Sequence, residues 1–133
     1  DCGRAHPVGS AITGLGNGYV ALLDAMIQAE PATNGVRVLN TGISGNTCRD
    51  LKARWNADVL ALKPDRVTIM IGTNDVWRQF DSPSEFHAGV PKDEFESIVR
   101  ELVSATPAPI LLATPFFLEP DVTEPMRARM DEY

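Results

Sequence analysis

The sequence predicts one α/β domain built on a parallel sheet. Three observations carry that expectation. Helix-like and strand-like segments alternate along the chain, as in folds whose parallel strands are joined by crossover helices. The strand candidates are short continuous apolar runs rather than in-out alternations, the pattern of strands covered on both faces. The length, 133 residues, suits one domain and is too short for two ordinary ones.

The elements run in this order. Residues 1–18 read as a loop, with five glycines and Pro7 and no sustained period. Tyr19 to Glu30, rich in Ala, Leu and Met, reads as a helix that Pro31 ends, and Asn34-Gly35 is a turn. Val36 to Leu39 is a short strand, followed by a glycine-rich turn over Thr41 to Asn46. Thr47 caps the next helix, with Asp50 in its first turn and an apolar stripe of Leu51, Trp55, Val59 and Leu62. Pro64-Asp65 stops it. Val67 to Ile71 is a strand, Gly72 to Asp75 a turn, and Phe80 to Val90 a loop. Lys92 to Ala105 is the clearest helix: Phe95, Ile98, Val99, Leu102 and Val103 recur at helical spacing, and Pro107 and Pro109 break it. Ile110 to Ala113 is a further strand and Pro115 to Pro120 a loop. Pro125 suits the first turn of a last helix, which still runs at Tyr133. A helix rather than a strand opens this series and a helix closes it, so both edges of the fold read as cut.

Composition narrows the function classes. Hydrophobic residues make up 44% and charged residues 23%, a globular balance. Lys and Arg number 12 against 18 Asp and Glu, a net charge of −6. An acidic chain without a basic cluster is a poor candidate for sequence-independent nucleic-acid binding. No apolar run approaches the roughly 20 residues that span a bilayer. No basic-then-apolar leader opens the chain, which favours a cytoplasmic location. Cys2 and Cys48 read as free thiols, with a bridge open if two loops meet. His6 and His87 do not sit in a metal-spaced pair, so no metal site is expected.

Two turns stand where ligands bind in open α/β sheets, beyond the carboxyl ends of strands. One is Gly42-Ile43-Ser44-Gly45-Asn46-Thr47; the other is Gly72-Thr73-Asn74-Asp75. Both combine glycine with short polar side chains. Two readings are open. They are ordinary connections with helix-capping residues, or they converge a backbone N–H and an Asn amide on one point, as an oxyanion hole does. Gly42-x-Ser44 also begins like a nucleophile elbow, but Asn46 stands where the last glycine is needed, and no acid-then-histidine pair comes after it.

These two turns resemble the second and third conserved blocks of the SGNH hydrolases, also called GDSL esterases. Asp1-Cys2-Gly3-Arg4 resembles the residues just after their first block, Gly-Asp-Ser-x-Thr. Asn74-Asp75-Val76-Trp77-Arg78 and the Pro115-Phe116-Phe117 turn extend the likeness along the chain, with Gly45 27 positions ahead of Gly72. The resemblance implies a flavodoxin-like three-layer α/β/α fold with a parallel sheet, incomplete at both ends, the chain being a partial domain over residues 1–133.

It also implies a serine ester hydrolase. Gly45 gives its backbone N–H, and Asn74 its side-chain amide, to the oxyanion hole. On the substrate side, Asp75 braces the turn and Trp77 lies near the acyl or leaving-group pocket. Trp77 as a core aromatic is the alternative. The family's serine falls just before Asp1 and its Asp-x-x-His pair beyond Tyr133, so the isolated chain is expected to be inactive and marginally stable. No cofactor and no metal is implied. The tracts most resemble bacterial members that deacetylate carbohydrates, so the expected partner is a carbohydrate or other small ester. Lysophospholipases and acyl thioesterases of the same family are alternatives, as is a non-catalytic flavodoxin-like binding module.

Overall fold

The computed structural model describes residues 15, 18–80, 88–116 and 123–133. Cys2, His6 and His87 lie outside the described residues, as do most of the opening loop, residues 81–87 and residues 117–122. The chain divides into two compact units, Asp1–Gly45 and Asn46–Tyr133.

In the first unit, helix α1 spans Tyr19–Ala29 and is followed by a 3-10 turn at Pro31–Thr33. Ala, Leu and Met favour the helix, and Pro31 closes it. The Thr33 hydroxyl donates to the Ile27 carbonyl, and Gln28 Nε2 donates to the Val36 carbonyl at 2.9 Å. The strand expected at Val36–Leu39 does not form; residues 36–43 are irregular. A strand exists only through ladder hydrogen bonds to a neighbour. Val36 to Leu39 has no such neighbour among the described residues.

In the second unit, α2 spans Cys48–Asp58, β1 Val67–Met70, α3 Thr73–Phe80, α4 Lys92–Ala105, β2 Ile110–Ala113 and α5 Glu124–Met130. The two strands pair in parallel, Val67 opposite Ile110 and Ile69 opposite Leu112. The connection between them contains α3 and α4, as a parallel pair requires. α2 packs on α4. Trp55, Ile69, Phe95, Ile98, Val99 and Leu102 form the centre of the core, so the helices cover the Ile69 face of the strands. Trp55 Nε1 donates to the Thr106 hydroxyl at 3.1 Å, and that hydroxyl donates to the Leu102 carbonyl at 2.7 Å, which satisfies both buried polar groups. Outside this core, Arg49 grips Glu94 through two bonds of 2.6 Å, and Lys52 meets Glu101 at 2.7 Å.

Four expectations change. The helix expected to continue to Pro64 ends at Asp58, followed by a 3-10 turn at Leu60–Leu62 in which Leu62 is exposed. Burial along the strands is uneven: Ile69 is buried, whereas Thr68, Met70 and Leu111 on the opposite face, and Leu112 beside Ile69, are exposed, Leu111 at 66%. Continuous apolarity states what a strand can tolerate on its faces, not what is present to cover them. The second turn is the first turn of a helix, because α3 begins at Thr73 directly after Gly72. The last helix ends at Met130, where Asp131 caps it, rather than running to Tyr133. Among the described residues no helix is long and apolar enough to cross a membrane.

Candidate active site

Gly72 sits between β1 and α3 with φ of 122°, a backbone that side chains disfavour. A Cβ there would also lie 2.9 Å from Pro115 Cγ and 3.3 Å from Phe95 Cζ. The sharp turn therefore needs glycine, and it delivers Thr73, Asn74 and Asp75 at the start of α3. Asn46 and Thr47 lead into α2. Thr47 forms a capping box: its side-chain oxygen accepts from the Asp50 N–H, and its own N–H donates to Asp50 Oδ2 at 2.8 Å, an oxygen to which its hydroxyl also donates at 2.8 Å. Burial pushes the Asp50 carboxyl up, but the Thr47 bonds, with Arg78 and Arg54 nearby, hold it below its ordinary range.

The starts of α2 and α3 are laced together by two hydrogen bonds. Asn74 Nδ2 donates to the Asn46 carbonyl at 3.0 Å. The Cys48 N–H donates to Asp75 Oδ1 at 2.9 Å. The first orients the Asn74 carboxamide. A carboxamide has two N–H donors, and the Asn46 carbonyl takes one of them. The second fastens an orphan donor of the α2 N-terminus to a carboxylate, where the helix dipole favours negative charge.

Asp75 has no exposed surface, and among the described residues its Oδ2 has no hydrogen-bond partner. Burial raises its pKa, and the bonds from Cys48 only partly offset that. The buried Cys48 thiol is likewise pushed up, first by burial and then by the Asp75 carboxylate, which makes it a poor nucleophile. The Asp75 backbone carbonyl accepts from the Val90 N–H at 3.0 Å and from Gln79 Nε2 at 3.0 Å. Gln79 Nε2 also donates to the Val90 carbonyl at 2.8 Å, so Asp75 ties α3 to the segment that enters α4. Trp77 is half-buried on α3.

Asn46 is held from a second side. Arg54 Nε, on α2, donates to Asn46 Oδ1 at 3.0 Å, and the same guanidinium pairs with Asp58. Sequence reasoning missed both Asn46 and Arg54. Arg54 and Asp58 stand at i,i+4, a spacing that admits an ion pair on one helix, but nothing in the spacing signals a bond from Arg54 back across the N-cap. In the first unit, Gly45 has φ of 84°, and the Gly42 N–H donates to Asn40 Oδ1 at 3.0 Å. Asn40 Nδ2 in turn donates to the Leu15 carbonyl at 3.1 Å. Among the described residues no group of three or more His, Cys, Asp or Glu could hold a metal ion.

Comparison with known proteins adds relatives to this geometry. The sequence model of the GDSL-like Lipase/Acylhydrolase family matches residues 5–133. An acetylxylan esterase of Geobacillus stearothermophilus is 53% identical over 137 residues, an alignment that takes in 100% of this chain and 63% of that protein. The crystal structure of Axe2, an acetylxylan esterase from Geobacillus stearothermophilus, is similar with a TM-score of 0.84 and 52% identity, over 99% of this chain and 62% of that one. LAE5, an alpha/beta hydrolase enzyme from the metagenome of Lake Arreo, Spain, is similar with a TM-score of 0.81 and 47% identity, over 93% of this chain and 58% of that one. The chain thus spans about 63% of the length of that Geobacillus stearothermophilus acetylxylan esterase.

Proposed function

The chain belongs to the GDSL-like lipase/acylhydrolase family, and from that premise we propose that it forms the oxyanion-stabilising part of a serine esterase that deacetylates carbohydrates. Similarity to an acetylxylan esterase at 53% identity supports the substrate class. The nucleophilic serine and the Asp/His pair come from parts of the longer protein outside residues 1–133. None of the six serines, Ser10, Ser44, Ser82, Ser84, Ser97 and Ser104, follows a Gly-Asp as in the family's serine block, and neither His6 nor His87 follows an Asp at the family's spacing.

The reaction is an acyl transfer in two halves. The serine oxygen attacks the ester carbonyl carbon while the histidine takes its proton. The carbonyl oxygen gains negative charge, and the Gly45 N–H and the Asn74 carboxamide donate to it together with the serine N–H. The intermediate collapses with cleavage of the bond to the sugar oxygen, which the histidine protonates so that it leaves as an alcohol, and water then attacks the acetyl-serine and releases acetate and free serine by the same steps. Donors fixed beforehand stabilise the transition state without reorganising, which is why Asn74 needs its carboxamide held.

The observation that carries this reading is the Asn74 carboxamide held by the Asn46 carbonyl at 3.0 Å, one residue beyond Gly45 in the chain. The test is Asn74→Ala in the full-length protein, assayed on 4-nitrophenyl acetate and on acetylated xylooligosaccharide. Loss of one oxyanion donor lowers kcat by about 10²–10³ while the folded state is kept. Unchanged turnover refutes the assignment. Faster cleavage of octanoyl esters or acyl thioesters than of acetyl esters moves the substrate to a lipid or thioester.

A further inference from the structure

We propose that Arg54 is a positioning residue for the Asn74 carboxamide, acting through Asn46. The inference rests on the reading of Asn74 as an oxyanion donor and extends it to a residue outside the two motif turns.

A terminal carboxamide turns in a broad, shallow torsional well, so an Asn donor is only as well aimed as the group that holds it. Asn74 is held by a backbone carbonyl, that of Asn46. Asn46 lies ahead of the α2 N-cap, and the peptide that carries its carbonyl is held on its N–H side by the bond from Thr47 to Asp50 Oδ2. Its side chain adds a second hold, with Oδ1 accepting from Arg54 Nε at 3.0 Å. The guanidinium is held in turn by Asp58, one turn further along α2. The Arg54 and Asp58 side chains are 18% and 27% exposed, so water screens this relay less than the surface pairs on the same helix.

The geometry exceeds what helix stability asks for. An i,i+4 Arg–Asp pair is complete with its terminal nitrogens and contributes a few tenths of a kcal/mol. Here Nε is turned to an oxygen eight residues upstream, and the planar fork serves both partners at once. A lysine, with one nitrogen on a flexible stem, cannot reproduce that double engagement.

The test is a double-mutant cycle in the full-length protein with a second readout independent of chemistry. Arg54→Lys is expected to lower kcat by about 10-fold to 10²-fold with KM within about twofold, the effect of a misplaced catalytic group. In the Asn74→Ala background the same change is expected to cost less than about twofold, because the group it positions is gone. Arg49→Ala, which removes the surface pair to Glu94, leaves kcat unchanged. In ¹⁵N spectra, the Asn74 side-chain amide protons should exchange faster with solvent in Arg54→Lys than in Arg49→Ala. Asn46→Ala, which keeps the carbonyl and removes Oδ1, should reproduce both effects if Arg54→Lys folds poorly. Additive losses in the cycle, or unchanged exchange at Asn74, overturn the proposal. If Asn74→Ala itself leaves turnover intact, the oxyanion reading falls, while the exchange data still report whether Arg54 holds the carboxamide.

Discussion

Helices α1 and α4 are both well supplied with apolar residues, and they differ in what they bury. α4 places Phe95, Ile98, Val99 and Leu102 in the core. α1 buries none of its residues and leaves Leu22 at 68% and Met26 at 72% exposure. The strand-like segments repeat the contrast. Val67–Met70 pairs with Ile110–Ala113, whereas the equally apolar Val36-Arg37-Val38-Leu39 stays unpaired. The difference lies in the partners. A helix closes its own hydrogen bonds and forms wherever local propensity allows. Burial and strand pairing need a second element, and among the described residues the Asn46–Tyr133 unit supplies one for α4 and one for Val67–Met70.

The largest test of that contrast is removal of a large side chain from each region. Trp55→Ala should destabilise by about 3–5 kcal/mol, since it opens a cavity in the core and removes the donor to the Thr106 oxygen. Met26→Ala on α1 should stay within about 0.5 kcal/mol. Urea unfolding followed by circular dichroism reads both, and a costly Met26→Ala would show that α1 has a packing partner. A sharper comparison uses glycine. Gly72→Ala adds backbone strain and a clash with Pro115, for about 2–4 kcal/mol. Gly35→Ala, with φ of 92° and nothing within 4 Å of its Cβ, adds strain alone, about 1–2 kcal/mol. Equal costs would deny the close approach of Pro115.

The smallest expected effect is electrostatic and is read as a slope against pH. The Asp75 pKa is raised in the fold, so the charged form is the one the fold disfavours. Its favourable contribution is fully present below the ordinary value of 3.8 and is lost as pH rises through the raised value. Asp50 and Glu94, whose pKa values are lowered, contribute the opposite slope. Asp75→Asn keeps an oxygen acceptor for the Cys48 N–H and removes the buried charge. It should therefore gain stability relative to the parent more at pH 8 than at pH 5. A gain that is larger at pH 5 would mean that the carboxylate is stabilised where it sits.

Much of this was legible in the residues. The period of Phe95, Ile98, Val99 and Leu102 marks α4 at its observed bounds, and Thr47 with Asp50 marks the start of α2. Both signals are local, within a turn or four of helix. α3 was not read as a helix, because its eight residues repeat the apolar spacing only once, Val76 and Trp77 against Phe80, and its start coincides with the Gly72 turn. Asn74 and Asp75 were legible as site residues from the motif, but not their division of labour. The bonds from Asn74 to the Asn46 carbonyl and from the Cys48 N–H to Asp75 join residues 28 and 27 positions apart. No local pattern records such a bond.

From its order of residues alone the chain determined its class, the places where α2 and α4 begin, and the turns that carry Gly45 and Asn74. Those depend on propensity, capping and the freedom of glycine, which act within a few residues. Tertiary structure alone decided that Val67–Met70 became a strand and Val36–Leu39 did not, that Asp75 lost all contact with solvent, and that Arg54 came to rest on Asn46. Each of those outcomes depends on which distant groups arrive to pair, desolvate or donate, and folding sets that arrival.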